Sequence, residues 1–407
     1  MFKVYQRQRI EVLRRRFAVS VAIHVAILFA ACHTASDLML QNAVAQDETV
    51  VGEILPNQTP FPQLSDTQLS ATQANESNSL DLLRLDPLDP DGIYSPVVTA
   101  LAASQDGKWL VAAGDDHAIR ILDRSTGRAH KLLEGHVDWV QSVAILDDNQ
   151  TILSCSNDGT LRLWSIALED KSPRVLYRGS IALMCLAVAP DSTSVAIGGF
   201  GNSILVHDIK TGNLIREMTC DCNDQRTLAF SRDGLQLASG GRDGVLRIWS
   251  FVKPDEKPAV PLEQKLHNGR IRSVSFSSDG TVVTTVAEDR RFVRYRTYDG
   301  QILLDQKITG GKLMAMAAID SRLVAVAGAD NTIRIMDSED GKELHRLVGH
   351  DGSVASLLRS GDDLISSSYD TTIRYWNLEK AVQHDAAPYE HPVSARYVDS
   401  GVSENIR

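Results

Sequence analysis

One short pattern recurs seven times along this chain and limits its fold more than any other feature. It runs Asp, two residues, an aliphatic, usually Arg, an aliphatic, then Trp or Asp nearby. It reads Asp116-His117-Ala118-Ile119-Arg120-Ile121-Leu122-Asp123, then Asp158-Gly159-Thr160-Leu161-Arg162-Leu163-Trp164, then Asp243-Gly244-Val245-Leu246-Arg247-Ile248-Trp249. Asp330-Asn331-Thr332-Ile333-Arg334-Ile335-Met336-Asp337 and Asp370-Thr371-Thr372-Ile373-Arg374-Tyr375-Trp376 follow. Asp289 to Tyr295 is a worn copy, and Gly201-Asn202-Ser203-Ile204-Leu205-Val206-His207-Asp208 has Gly for the first Asp. Copies start 40 to 46 residues apart. A fixed period of that length marks a repeat architecture.

Each unit reads as short strands. Apolar runs such as Trp109-Leu110-Val111-Ala112-Ala113 precede the Asp. Turns such as Gln105-Asp106-Gly107-Lys108, Arg232-Asp233-Gly234 and Ser278-Asp279-Gly280 come before those runs. Asp-Gly between apolar runs is a hairpin signal. Four short strands per unit, with no helical period, predict a sheet repeated radially. The chain is 43% hydrophobic, enough for a core. Its net charge of -10 argues against a general nucleic-acid binder, which needs a basic face. Five cysteines make no disulfide framework.

Over about residues 94–376 these residues resemble the WD-repeat family of seven-bladed β-propellers. Gly135-His136, Gly349-His350, Trp164, Trp249 and Trp376 carry the resemblance best. It implies an all-β fold of seven four-stranded antiparallel blades over residues 81–380, around a central channel. The last blade would be shared between the two chain ends, with Asp81-Leu82-Leu83-Arg84-Leu85 as its outer strand. Closure would remove exposed sheet edges.

The resemblance also implies a hydrogen-bonded His, Ser or Thr, Asp and Trp in each blade. Blade two supplies His136, Ser154, Asp158 and Trp164, and blade seven supplies His350, Ser366, Asp370 and Trp376. Blade five offers His267, Thr285, Asp289 and Tyr295. Blade four has Ser239, Asp243 and Trp249, with Asp221 in the His position. Blades one, three and six have Tyr94, Gly179 and Thr309 there, which leaves their internal bonding open. His, Asp and Ser together can resemble a hydrolase triad. A catalytic triad occurs once, in a cleft, whereas this set recurs at the repeat spacing and so reads as internal support.

No catalytic residues, metal site or cofactor site are therefore expected. There is no Cys-x-x-Cys-His and no Gly-rich phosphate loop before a helix. Cys220-Asp221-Cys222 reads as an exposed loop of incidental thiols, with a local disulfide or a metal as the other readings. Cys155 and Cys185 read as small core residues.

Propellers usually bind at the ends of the channel. Three residues after the His position, where the inner strand starts, stand Val97, Trp139, Ala182, Asp224, Arg270, Lys312 and Ser353. Trp139, Arg270 and Lys312 are the candidate anchors for a partner, since aromatic and Arg residues dominate binding energy. The expected function is a non-catalytic scaffold for an unidentified protein or peptide. The alternative is a propeller enzyme or cofactor carrier of lactonase or quinone dehydrogenase type.

Residues 1–45 read as a signal peptide or membrane anchor. Lys3, Arg7, Arg9, Arg14, Arg15 and Arg16 form a basic head, and Phe17 to Ala31 is apolar apart from Ser20 and His24. Ala43-Val44-Ala45 is the candidate cleavage site. A lipoprotein box at Cys32 fits less well, because Phe29 stands where a smaller aliphatic is usual. Residues 46–80 read as a flexible polar linker and 381–407 as a polar tail. The protein would then be an exported, bacterial-type member, periplasmic or extracellular, or one held outside the cytoplasm by an uncleaved anchor, its sole contact with a membrane.

Overall fold

The Asp-Gly dipeptides build the first hairpin of a blade by a local device. In the computed structural model, Asp106 accepts hydrogen bonds from the Ser104 hydroxyl at 2.5 Å and the Lys108 amide at 3.0 Å. Asp233 does the same with Ser231 at 2.6 Å and Leu235 at 2.9 Å. Asp279 repeats it with Ser277 at 2.5 Å and Thr281 at 3.0 Å. Gly107 follows at φ 72°, a left-handed conformation that Gly adopts without a Cβ clash.

The structure describes residues 82–85, 88, 95–167, 172–251 and 261–379, all within one unit, Glu76–Arg407. The leader, the linker and the C-terminal tail read from the sequence lie outside the described residues, as do Asp81 and Tyr94. Among the described residues, strands form seven four-stranded antiparallel sheets. Their innermost strands are Val98–Ala103, Val140–Ile145, Leu183–Val188, Gln225–Phe230, Ile271–Phe276, Leu313–Ala318 and Val354–Ser360. Six blades are built from consecutive strands. The seventh takes Val354–Ser360, Asp363–Ser368 and Thr372–Asn377 from one end of the chain and Leu82–Arg84 from the other. Leu82 pairs with Arg374, Leu83 with Ile373 and Arg84 with Thr372. This is the closing strand that the sequence predicts.

The core lies between neighbouring blades. Trp109 and Ile121 of blade one pack with Val140 and Trp164 of blade two. At the closing junction, Leu85, Ile365 and Ile373 pack with Val98 and Leu110. Ile365 and Ile373 are fully buried there, and each contributes roughly 1.5–3 kcal/mol of transfer energy. Arg124 adds a polar tie across the same junction, donating to the Ser360 carbonyl at 2.6 Å and to Asp363 at 2.8 Å.

Every innermost strand slips register directly after its first residue. The second residue is left without a cross-strand partner. A bulge re-aims a side chain. Here the seven bulged residues are Thr99, Gln141, Met184, Arg226, Arg272, Met314 and Ala355, and all line one central cavity.

Candidate functional site

Blade two forms an unbroken chain of hydrogen bonds. The Trp164 indole Nε1 donates to the Ser154 hydroxyl at 2.8 Å. Ser154 Oγ lies 2.7 Å from His136 Nε2, and His136 Nδ1 lies 2.8 Å from Asp158 Oδ2. The carboxylate is an acceptor only, so Nδ1 carries the proton and Ser154 donates to Nε2. Thr160 closes the loop by donating to Asp158 at 2.6 Å. Blade seven repeats these distances with His350 and Asp370 at 2.8 Å, His350 and Ser366 at 2.7 Å, and Trp376 and Ser366 at 2.8 Å. The His side chains are fully buried.

Burial pushes the His136 ring below its ordinary value, against the opposing pull of Asp158. His350 behaves alike. Burial would raise the paired carboxyls. Donors outweigh it: His136 and Thr160 hold Asp158 well below the usual range, while Thr372 and His350 hold Asp370 at about 2. Neutral rings locked between two fixed partners have no open face for a substrate.

The other blades depart from this scheme. In blade five, His267 reaches Asp289 at 3.0 Å and Thr285 at 2.8 Å. Tyr295 is buried there, with its hydroxyl beside Gly300. In blade four, Trp249 donates to Ser239 at 3.3 Å, and Asp243 is held by Arg247 at 2.7 Å. Blades one and six, which the sequence leaves without a His, use the same Arg: Arg120 binds Asp116 at 2.6 Å and Arg334 binds Asp330 at 2.5 Å. In blade three, His207 occupies the Trp position and Tyr177 packs on it at 5.2 Å, filling the space over Gly179.

Cys220 and Cys222 correct the sequence reading of an exposed loop. They are buried, disulfide-bonded, and packed with Met218, Leu237 and Trp249. Gln225 Nε2 donates to both sulfurs. Cys155 and Cys185 are buried free thiols. Among the described residues, no group of three His, Cys, Asp or Glu side chains is arranged to hold a metal.

One end of the channel carries the variable chemistry. Each of the seven rim residues precedes its inner strand by one position. Its carbonyl accepts from the amide of the residue just before the repeated Asp or Gly. The pairs include Trp139 with Asn157 at 3.0 Å, Ala182 with Phe200 at 3.1 Å, Arg270 with Glu288 at 3.0 Å, Lys312 with Ala329 at 2.8 Å and Ser353 with Tyr369 at 3.0 Å. The mouth is therefore a double ring. Trp139, Phe200 and Tyr369 expose 38%, 47% and 41% of their surface on it. Arg270 and Lys312 are brought together by Glu288, at 3.0 and 3.1 Å. Arg270 also reaches Asp224 at 3.2 Å. Trp139 stands apart from them, with two blades between it and Arg270. Phe200 and Tyr369 were missed in the sequence. The signal was present: the position before the repeated Asp varies freely in an otherwise regular repeat.

Comparison with known proteins agrees with this architecture. A model described as WD domain, G-beta repeat, matches residues 91–123, 127–165 and 212–250. A second, described as outer membrane protein assembly factor BamB, matches residues 244–373. Protein tipD of Dictyostelium discoideum is 27% identical over 298 residues, covering 70% of this chain and 47% of that protein. Nuclear distribution protein nudF of Aspergillus niger is 26% identical over 295 residues, covering 70% of this chain and 58% of that protein. Apoptotic protease-activating factor 1 of Rattus norvegicus is 27% identical over 194 residues, 47% of this chain and 15% of that protein. The chain thus spans about half of tipD and nudF, and these relatives are eukaryotic, which does not support the bacterial type expected from the sequence. Set on seven four-stranded blades, the matches support a WD-repeat family for this chain.

Proposed function

We propose that this protein is a non-catalytic scaffold that holds a protein or peptide partner at the mouth ringed by Trp139, Phe200 and Tyr369. One observation carries the reading: three exposed aromatics sit on short loops at one end of a rigid ring. Rigid aromatic anchors give large contact area at little entropic cost. Arg270 and Lys312 would add charge selectivity. The test is crosslinked co-purification from the native cell with the wild type and a Trp139→Ala/Phe200→Ala/Tyr369→Ala variant. The expected result is a partner captured by the wild type and lost in a variant that melts normally. Equal capture by both sinks the assignment of this mouth.

We also propose that the propeller is exported. The basic head, the apolar run and Ala43-Val44-Ala45 support this reading. A disulfide at Cys220 and Cys222 fits an oxidising compartment. Sequencing the N-terminus of the mature protein tests it, and an intact Met1 would retire cleavage.

The second model match gives some weight to the enzyme or cofactor reading. Cofactor and metal analysis of the purified protein separates the two. Stoichiometric calcium or a bound quinone would overturn the scaffold.

A further inference from the structure

The bulged layer of the channel carries an unbalanced charge. Arg226 and Arg272 hold equivalent positions in adjacent blades four and five, and the other five bulged residues are neutral. Two carboxylates serve this sector. Asp224 takes Arg226 at 2.5 Å and Arg270 at 3.2 Å. Glu288 is shared by Arg270 and Lys312, and reaches Arg272 only at 3.9 Å. Lys312 is largely exposed and solvated, so three guanidinium groups face two carboxylates, an excess of one positive charge.

The placement makes that excess costly. The Arg226 and Arg272 side chains are 14% and 23% exposed, inside a cavity of about 290 Å³. Burial, and then the like charge of Arg226, weakens the hold of Arg272 on its proton. Charges withdrawn from water need a counterion. Ser273 and Tyr369 line the same cavity and add neutral hydrogen-bonding groups.

We propose that the channel binds an oxyanion of the phosphate type between Arg226 and Arg272. The uncompensated charge calls for an anion, and two guanidinium forks beside one space match an anion with several oxygens better than a single carboxylate. The site lies two residues further along the inner strands than the rim and does not rest on the scaffold reading. The anion has two sources, the free ion or a phosphorylated side chain.

The test uses the purified full chain in phosphate-free buffer. Calorimetry and thermal melts are run with inorganic phosphate, sulfate, acetate and chloride at matched ionic strength, and with a phosphoserine peptide. Phosphate and sulfate are expected to bind and raise the melting temperature, while acetate and chloride do not. Arg272→Gln should weaken phosphate binding about tenfold or more. Met314→Glu supplies a carboxylate in the same layer and should weaken binding as well, even if Arg272→Gln does not fold. Binding of free phosphate alone assigns the site to the ion. Tighter binding of the peptide assigns it to a modified side chain. Phosphate and sulfate binding no better than acetate, or unchanged phosphate binding in either folded variant, overturns the site.

Discussion

Arg334 holds Asp330 at 2.5 Å in a blade that has Thr309 where others have His. Arg120 and Arg247 hold Asp116 and Asp243 in the same way, and those blades also lack the His. Where His136 is present, the equivalent Arg162 stands back at 3.4 Å from Asp158. The repeat thus has two means of balancing one inward carboxylate. The Arg334 side chain is 4% exposed, so truncation would strand Asp330 with little water to replace it. Arg334→Ala should cost about 3 kcal/mol in urea unfolding. Arg334→Ala/Asp330→Asn should recover part of that loss. A double variant as unstable as the sum of both singles would show that the pair is not coupled.

The His networks predict a graded response. His136→Ala removes the centre of the chain and leaves Ser154 and Asp158 each short of a partner, at a cost of about 1–3 kcal/mol. Trp164→Phe keeps most of the packing and loses one donor, at about 1 kcal/mol. Thermal melts rank the two. If both left the melting temperature where it was, the network would have no structural role.

Acid should loosen blades two, five and seven first. Burial leaves His136, His267 and His350 holding a proton more weakly than the unfolded chain does. As pH falls through about 6.5, the unfolded state takes up protons that the folded state refuses, so stability drops. The partner carboxyls act in the same direction at lower pH: Asp158 is held well below the usual range and Asp370 at about 2. Their stabilisation is present above about pH 4 and is lost as pH falls towards those values. Denaturant midpoints measured from pH 8 to pH 5 should fall, and His350→Asn should flatten the slope. A midpoint independent of pH would contradict the burial of neutral rings.

The ring was legible in the sequence because it rests on local signals that repeat. The Asp motif fixes the blade count, Asp-Gly fixes the hairpins, and the apolar Leu82-Leu83-Arg84 segment has no partner of its own. The bulge at the second residue of each inner strand was not legible. It depends on how seven strands crowd one axis, so Arg226 and Arg272 read as ordinary strand residues. Cys220 and Cys222 were misplaced for a similar reason. Cys220-Asp221-Cys222 has the composition of an exposed loop, and its burial with Met218, Leu237 and Trp249 appears only in three dimensions. The motif Arg is present in blades with and without the His, so its closer hold on the Asp in blades one, four and six is not legible in the motif. It needed the distance between side chains.

The turn after each repeated Asp supplies the last prediction. Gly159 and Gly244 follow Asp158 and Asp243 at φ 75° and 69°, yet Arg290 and Thr371 occupy the same place at 70° and 69°. A left-handed backbone costs an L-residue about 1–2 kcal/mol, and a β-branched side chain fits it worst. Thr371→Gly should therefore stabilise the fold, by about 0.5–1 kcal/mol after the added entropy of the unfolded chain. Gly159→Thr should do the opposite and by more, because a Cβ there would stand 2.5 Å from the Gly179 carbonyl oxygen. Paired thermal melts decide the matter. If Thr371→Gly lowered the melting temperature, the Thr side chain would have to make a contact worth more than the strain it imposes, and the turn would be held by residue type as well as by conformation.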